Sequence, residues 1–64
     1  MAAGERLIMR VLEVLEPAPM IVDQIRMLTG ARVTNRAIRY ALSALVDQGK
    51  ARKIGHSNYS LPKG

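Results

Sequence analysis

A chain of 64 residues forms one domain at most and lies near the lower size at which a core alone holds a fold, which excludes a large catalytic cleft. Hydrophobic residues make up 48% of it, Tyr40 and Tyr59 are its only aromatics, and it has no cysteine and one histidine, so disulfides and thiolate metal sites are excluded and the core must come from Leu, Ile, Val, Ala and Met. The formal net charge of +5 is lopsided: residues 1–31 carry a net of −1, whereas from residue 32 onward Arg32, Arg36, Arg39, Lys50, Arg52, Lys53 and Lys63 face Asp47 alone, a net of +6.

Leu7, Ile8, Val11, Leu12 and Leu15 recur on one face of a 3.6-residue period, which predicts a first helix over about 4–16. Glu5, Arg6 and Arg10 interrupt the apolar pattern, so the segment is no signal h-region, and no apolar run approaches the roughly 18 residues of a membrane span. A cytoplasmic protein is expected, nucleoid-associated if bacterial. Pro17 and Pro19 end the helix, and Met20 and Ile21 follow as a short extended piece. Val22, Ile25 and Leu28 then mark a second helix over about 22–29, with Asp23 in its first turn and Gly30 as a left-handed C-terminal cap.

Thr34 is a good N-cap, and Val33 before it is placed to pack on Ile38 as a hydrophobic staple. The third helix is expected over about 35–48, with Ile38, Ala41, Leu42 and Leu45 as its buried stripe and Gly49 just past its end. From there the period changes to two. Tyr59 and Leu61 share one face, Gly55 sits in a turn, and a hairpin over about 51–61 results, with Pro62, Lys63 and Gly64 as a frayed end. Met9, Met20 and Met27 are expected to fill gaps in the core.

The fold class is therefore mainly α with a small β hairpin, a single domain over 1–64. The connection TGAR between the second and third helices is short and contains glycine, as a helix-turn-helix requires. At about 100° per residue, Asn35, Arg36, Arg39, Tyr40, Ser43 and Asp47 gather on the face of the third helix opposite Ile38, Ala41 and Leu45. A charge asymmetry of this kind reads as the footprint of a polyanion. Arginine pairs with guanine O6 and N7 and asparagine with adenine N6 and N7, so Asn35, Arg36, Arg39, Tyr40 and Ser43 are the base-contact candidates, Tyr40 and Ser43 being suited also to sugar and backbone. Arg32, Thr34, Lys50, Arg52, Lys53 and His56 are the candidates for phosphate contact. The plainer readings are a solvated basic face, a turn role for His56 and a packing role for Tyr59. Asp23, Glu13 and Glu16 form no acid–base pair, and no nucleophile triad, phosphate loop or metal spacing occurs. Neither an enzyme nor a cofactor, metal, membrane or small-molecule substrate is expected.

With a hairpin after the third helix, the arrangement resembles the winged helix-turn-helix DNA-binding superfamily: three helices plus a two-stranded wing and a short first strand. AIRYALSALVDQGKARK, residues 37–53, is similar to the recognition helix and wing entry of many bacterial winged-helix regulators, in which an amphipathic helix ends in glycine followed by an apolar and a basic residue. The Arg39–Tyr40 pair before a leucine-rich helix end gives a further likeness to the small regulators of bacterial pilus operons, the Pap and Fae type. These resemblances imply double-stranded DNA as partner, the third helix in the major groove, the wing on the phosphate backbone, and a role in transcription regulation. By the likeness to the pilus regulators, Arg36, Arg39 and the wing bases contact DNA and the chain acts beside a larger regulator; a homodimer is also open. The alternative is a protein-interaction winged helix within a larger assembly, its basic face attracting nucleic acid only loosely. A continuous exposed patch of Met9, Val14 and Met27 would favour that alternative.

Overall fold

In the computed structural model, which describes residues 3–30 and 32–62, the apolar residues three and four apart at the start of the chain form helix α1 (Ala3–Val14). The expected frayed end, Lys63 and Gly64, lies outside the described residues. Val11 and Leu15 are buried, and Leu7, Ile8, Leu12 and Val14 pack around them. The helix ends before Glu16, earlier than its spacing predicts. Pro17 disfavours the α conformation at the residue before it. The Glu16 N–H donates to Met20 Sδ at 3.3 Å, and the Glu16 carbonyl accepts from the Leu61 N–H at 2.8 Å.

Strand β1 (Met20–Ile21) leads directly into α2 (Val22–Thr29), which buries Val22, Ile25 and Thr29. Leu28, expected on the buried stripe, is 50% exposed. At about 100° per residue Thr29 falls about 20° from Val22 around the helix, and Leu28 about 120° from it, so the stripe passes through the threonine. Its hydroxyl donates to the Ile25 carbonyl at 2.7 Å, which satisfies the polar group inside the core. Gly30 is not in the left-handed helical region that its place at the helix end predicts. Its φ of 153° and ψ of 144° are extended with positive φ, a region for glycine; its N–H still caps the Arg26 carbonyl (2.9 Å), and its own carbonyl accepts the Val33 N–H (3.3 Å), turning the chain at once.

Helix α3 (Asn35–Asp47) starts where Thr34 predicts, its side-chain oxygen accepting the Ala37 N–H at 3.2 Å. Val33 packs on the core that contains Ile38, and Ile38, Ala41, Leu42 and Leu45 are all buried. At the far end Gly49, with φ 74°, donates to the Val46 carbonyl (3.0 Å) and Lys50 donates to the Leu45 carbonyl (2.8 Å). These two bonds form a Schellman motif, which needs a left-handed residue at the glycine.

Strands β2 (Arg52–Ile54) and β3 (Asn58–Ser60) flank a turn opened by Gly55 at φ 65°. The β2–β3 hairpin is joined by the short first strand: β3 lies between β1 and β2, antiparallel to both. Met20, Tyr59 and Lys53 make one column across the sheet; Ile21, Asn58 and Ile54 make the next; Arg52 pairs with Ser60. Buried Met20 and Tyr59 join the sheet to the core of Val11, Ile25, Ile38, Leu42 and Leu45. Met20 fills a core gap as expected, but Met9 and Met27 do not, being 60% and 73% exposed. Each lies more than about 100° around its helix from the buried stripe. None of the described helices is long and apolar enough to cross a membrane.

Candidate nucleic-acid interface

The stripe that anchors α3 in the core leaves its opposite side to solvent. Asn35, Arg36, Arg39, Tyr40, Ser43 and Asp47 are all exposed there. Because Thr34 fixes one end of the helix and the Gly49 motif the other, these side chains stand on a rigid support rather than a loop.

Two grooves separate this helix from the sheet. In the first, of about 240 Å³, Asn35 and Arg39 meet Ile21, Val22 and Asp23 from the start of α2, and Ser57 from the hairpin turn. In the second, of about 110 Å³, Ser43, Val46 and Asp47 face Lys53 and Tyr59. Arg39 and Ser43 therefore border the hairpin. Tyr40 leans the other way, its Cε2 standing 3.9 Å from where a Cβ on Gly4 would lie. The helix face is thus split into a hairpin flank and an α1 flank.

Asn35 is already engaged. Its Nδ2 donates to Asp23 Oδ1 at 2.8 Å. One amide hydrogen is used, while the other and the carbonyl oxygen stay open, so a two-point contact with a base edge is retained. Thr34 is also half committed: its oxygen accepts the capping bond, leaving the hydroxyl hydrogen to donate outward.

The hairpin cations do not act as one patch. Side chains alternate along a strand. Lys53 shares its column with Tyr59 and faces α3 across the second groove, whereas Arg52, exposed and paired with Ser60, projects from the opposite face of the sheet. Lys50 lines a third groove with Glu5, Ile8, Met9, Leu12, Leu45 and Gln48, between α1 and the end of α3. His56 is exposed in the turn beside Ser57. Arg32 lies before the start of α3, exposed, in a groove shared with Arg6 and Arg10.

Of the candidates named from sequence, then, Asn35, Arg39, Ser43 and Lys53 come together around the two grooves. Arg36 and Tyr40 share the helix face at its other flank, and Lys50 and Arg52 point elsewhere. Four groove residues escaped the sequence reading. Asp23 and Ser57 meet α3 only through tertiary packing, which leaves no local signal. Arg6 and Arg10 did carry one, their i, i+4 spacing, which charge counting along the chain conceals. Comparison with protein-family models, with curated proteins and with solved structures finds no match to this chain.

Proposed function

We propose that this chain is a winged-helix protein that binds double-stranded DNA and regulates transcription, with α3 in the major groove and the β2–β3 hairpin as a wing on the phosphate backbone. The observation that carries the reading is that the exposed face of α3 borders the hairpin along two grooves, Arg39 opposite Ser57 of the turn in one and Ser43 opposite Lys53 of β2 in the other. A rigid helix bearing Asn and Arg offers the donor pattern that reads base edges, and a cation beside it supplies attraction that does not depend on sequence. Arg36 and Arg39 are the main base-reading residues in this proposal. Arg52 reaches a strand segment away from the helix, on the other face of the wing.

The test compares two variants on a preferred duplex selected from a random library and on random duplex, at two salt concentrations. Arg39→Ala weakens preferred binding by about 1–3 kcal/mol and relaxes specificity; Lys53→Ala weakens binding to both duplexes alike and flattens the salt dependence. Equal losses on both duplexes for Arg39→Ala would remove α3 from the major groove.

A second reading, a docking module for a protein partner or for a second copy of the chain, draws on Met9 and Met27, both largely exposed. Val14, the residue that would join them into one strip, packs on the core instead. Sedimentation analysis of the free protein and of Met27→Lys decides this reading: a self-association that the lysine abolishes would raise it.

A further inference from the structure

We propose that the groove between α1 and the α2–α3 connection is a phosphoryl-binding site, distinct from the α3 face. The groove, of about 420 Å³, is lined by Arg6, Leu7, Arg10, Thr29, Gly30, Arg32 and Val33. Its volume lies within the range of about 300–1,000 Å³ usual for small-ligand sites.

Three arginines line it and, among the described residues, no acidic residue does. Arg6 and Arg10 are one helical turn apart on α1, a like-charge spacing that weakens a helix, and Arg32 adds a third positive charge from the facing connection. An anion in the groove turns this repulsion into attraction. The number of donors selects which anion. A guanidinium presents its N–H groups in a planar fork that serves two oxygens at once. A carboxylate, with two oxygens, is filled by one or two such forks, whereas a terminal phosphoryl group, with three free oxygens, has enough for three.

The backbone around the groove suits this use. The C-terminal end of α2 opposes an anion, but two carbonyls there are occupied: Arg26 accepts the Gly30 N–H and Gly30 accepts the Val33 N–H. The Thr29 hydroxyl is turned inward to the Ile25 carbonyl. Gly30, with nothing within 4 Å of a would-be Cβ and a φ of 153°, leaves the wall open where a side chain would project. Half-buried Leu7 and Val33 give an apolar wall for the organic part of a phosphate ester. Such oxygens reach the site from two sources: the terminal phosphoryl group of a free phosphate ester, or two neighbouring phosphodiesters of a nucleic acid, each of which has two free oxygens.

The experiment is an NMR titration of the whole chain, following the arginine Nε–H signals, with sodium phosphate and with sodium chloride at equal ionic strength. Saturable shifts at Arg6, Arg10 and Arg32 are expected with phosphate, at a midpoint at least five-fold below that of Arg36 and Arg39, and absent with chloride. Arg10→Gln weakens the midpoint at least five-fold while Arg39→Ala leaves it in place, so the result does not depend on the DNA reading. Arg6→Gln replaces Arg10→Gln if the latter loses amide dispersion. Duplex DNA and phenyl phosphate form the final arms: shifts of the same three signals by the duplex assign the nucleic-acid backbone, and tighter binding of phenyl phosphate than of inorganic phosphate assigns a free ester. Shifts that rise without saturation, or equally at all arginines, overturn the site.

Discussion

The Asn35 side-chain amide donates to the Asp23 carboxylate at 2.8 Å, joining the first residue of α3 to the first turn of α2. This bond holds the angle between the two helices at the end where the proposed base-reading face begins. It also sets a negative charge in the groove that Arg39 lines. Asp23→Ala is therefore expected to have two opposite effects. Both partners are exposed, so stability in urea melts falls by only about 0.5–1.5 kcal/mol. Affinity for duplex DNA rises at low salt, and the gain shrinks at high salt as the charges are screened. A loss of affinity at both salt concentrations would mean that the bond matters for posing Asn35.

Thr34→Ala removes the oxygen that accepts the Ala37 N–H. The expected cost is about 1 kcal/mol, with Thr34→Ser restoring most of it. Hydrogen exchange localises the effect: the amides of the first turn of α3 lose protection, while those of β3 change only as global stability changes.

At Gly49 the added side chain of an alanine meets nothing within 4 Å, so any cost there is conformational. With φ at 74°, Gly49→Ala loses about 1–2 kcal/mol in thermal or urea denaturation. Gly49→Asn loses less, since asparagine tolerates the left-handed region better than alanine. Equal stability of alanine and glycine here would contradict the Schellman geometry.

Asp47 is the one acid in α3 and faces Lys53 across the second groove. Asp47→Asn is expected to strengthen binding to random and preferred duplex alike, visible in fluorescence anisotropy as a uniform gain that fades with added salt. A gain confined to the preferred duplex would instead give Asp47 a part in reading sequence.

Leu42 has no exposed surface and lies at the centre of the core. Leu42→Ala costs about 2–5 kcal/mol. A chain of this length has a total stability on the order of 3–10 kcal/mol, so the variant is expected to lose a large share of it, read by circular dichroism as a marked drop in the melting temperature and urea midpoint.

Much of this architecture could be read from spacing alone because the signals are local. Thr34 and Gly49 act within one helical turn, and the stripe from Ile38 to Leu45 is long enough for its period to fix a direction. Helix α2 has only eight residues. Over so short a span Leu28 and Thr29 both fit the period, and the choice falls to tertiary packing, aided by a hydroxyl that finds a carbonyl within its own helix. The end of α1 was obscured for a similar reason: Glu16 is drawn out of the helix by Met20 and Leu61, partners that a local reading does not see. For the candidate site, the exposed face of α3 followed from periodicity, and all six of its residues are exposed. The separate directions of Lys50, Arg52 and Lys53 did not, since they depend on the register of β2 against β3 and on the turn that the Gly49 motif imposes.

The central place of β3 in the sheet has a consequence for how the protein is made. A ribosome that has delivered residues 1–57 has produced β1 and β2, both outer strands, without the one that bridges them. Until Asn58–Ser60 emerges, the backbone groups of those two strands lack their shared partner, and Met20 lacks Tyr59 beside it. The nascent chain thus holds helices before it holds a sheet, and a chain cut before Asn58 is a helical fragment with an open apolar side, a substrate for chaperones and proteases.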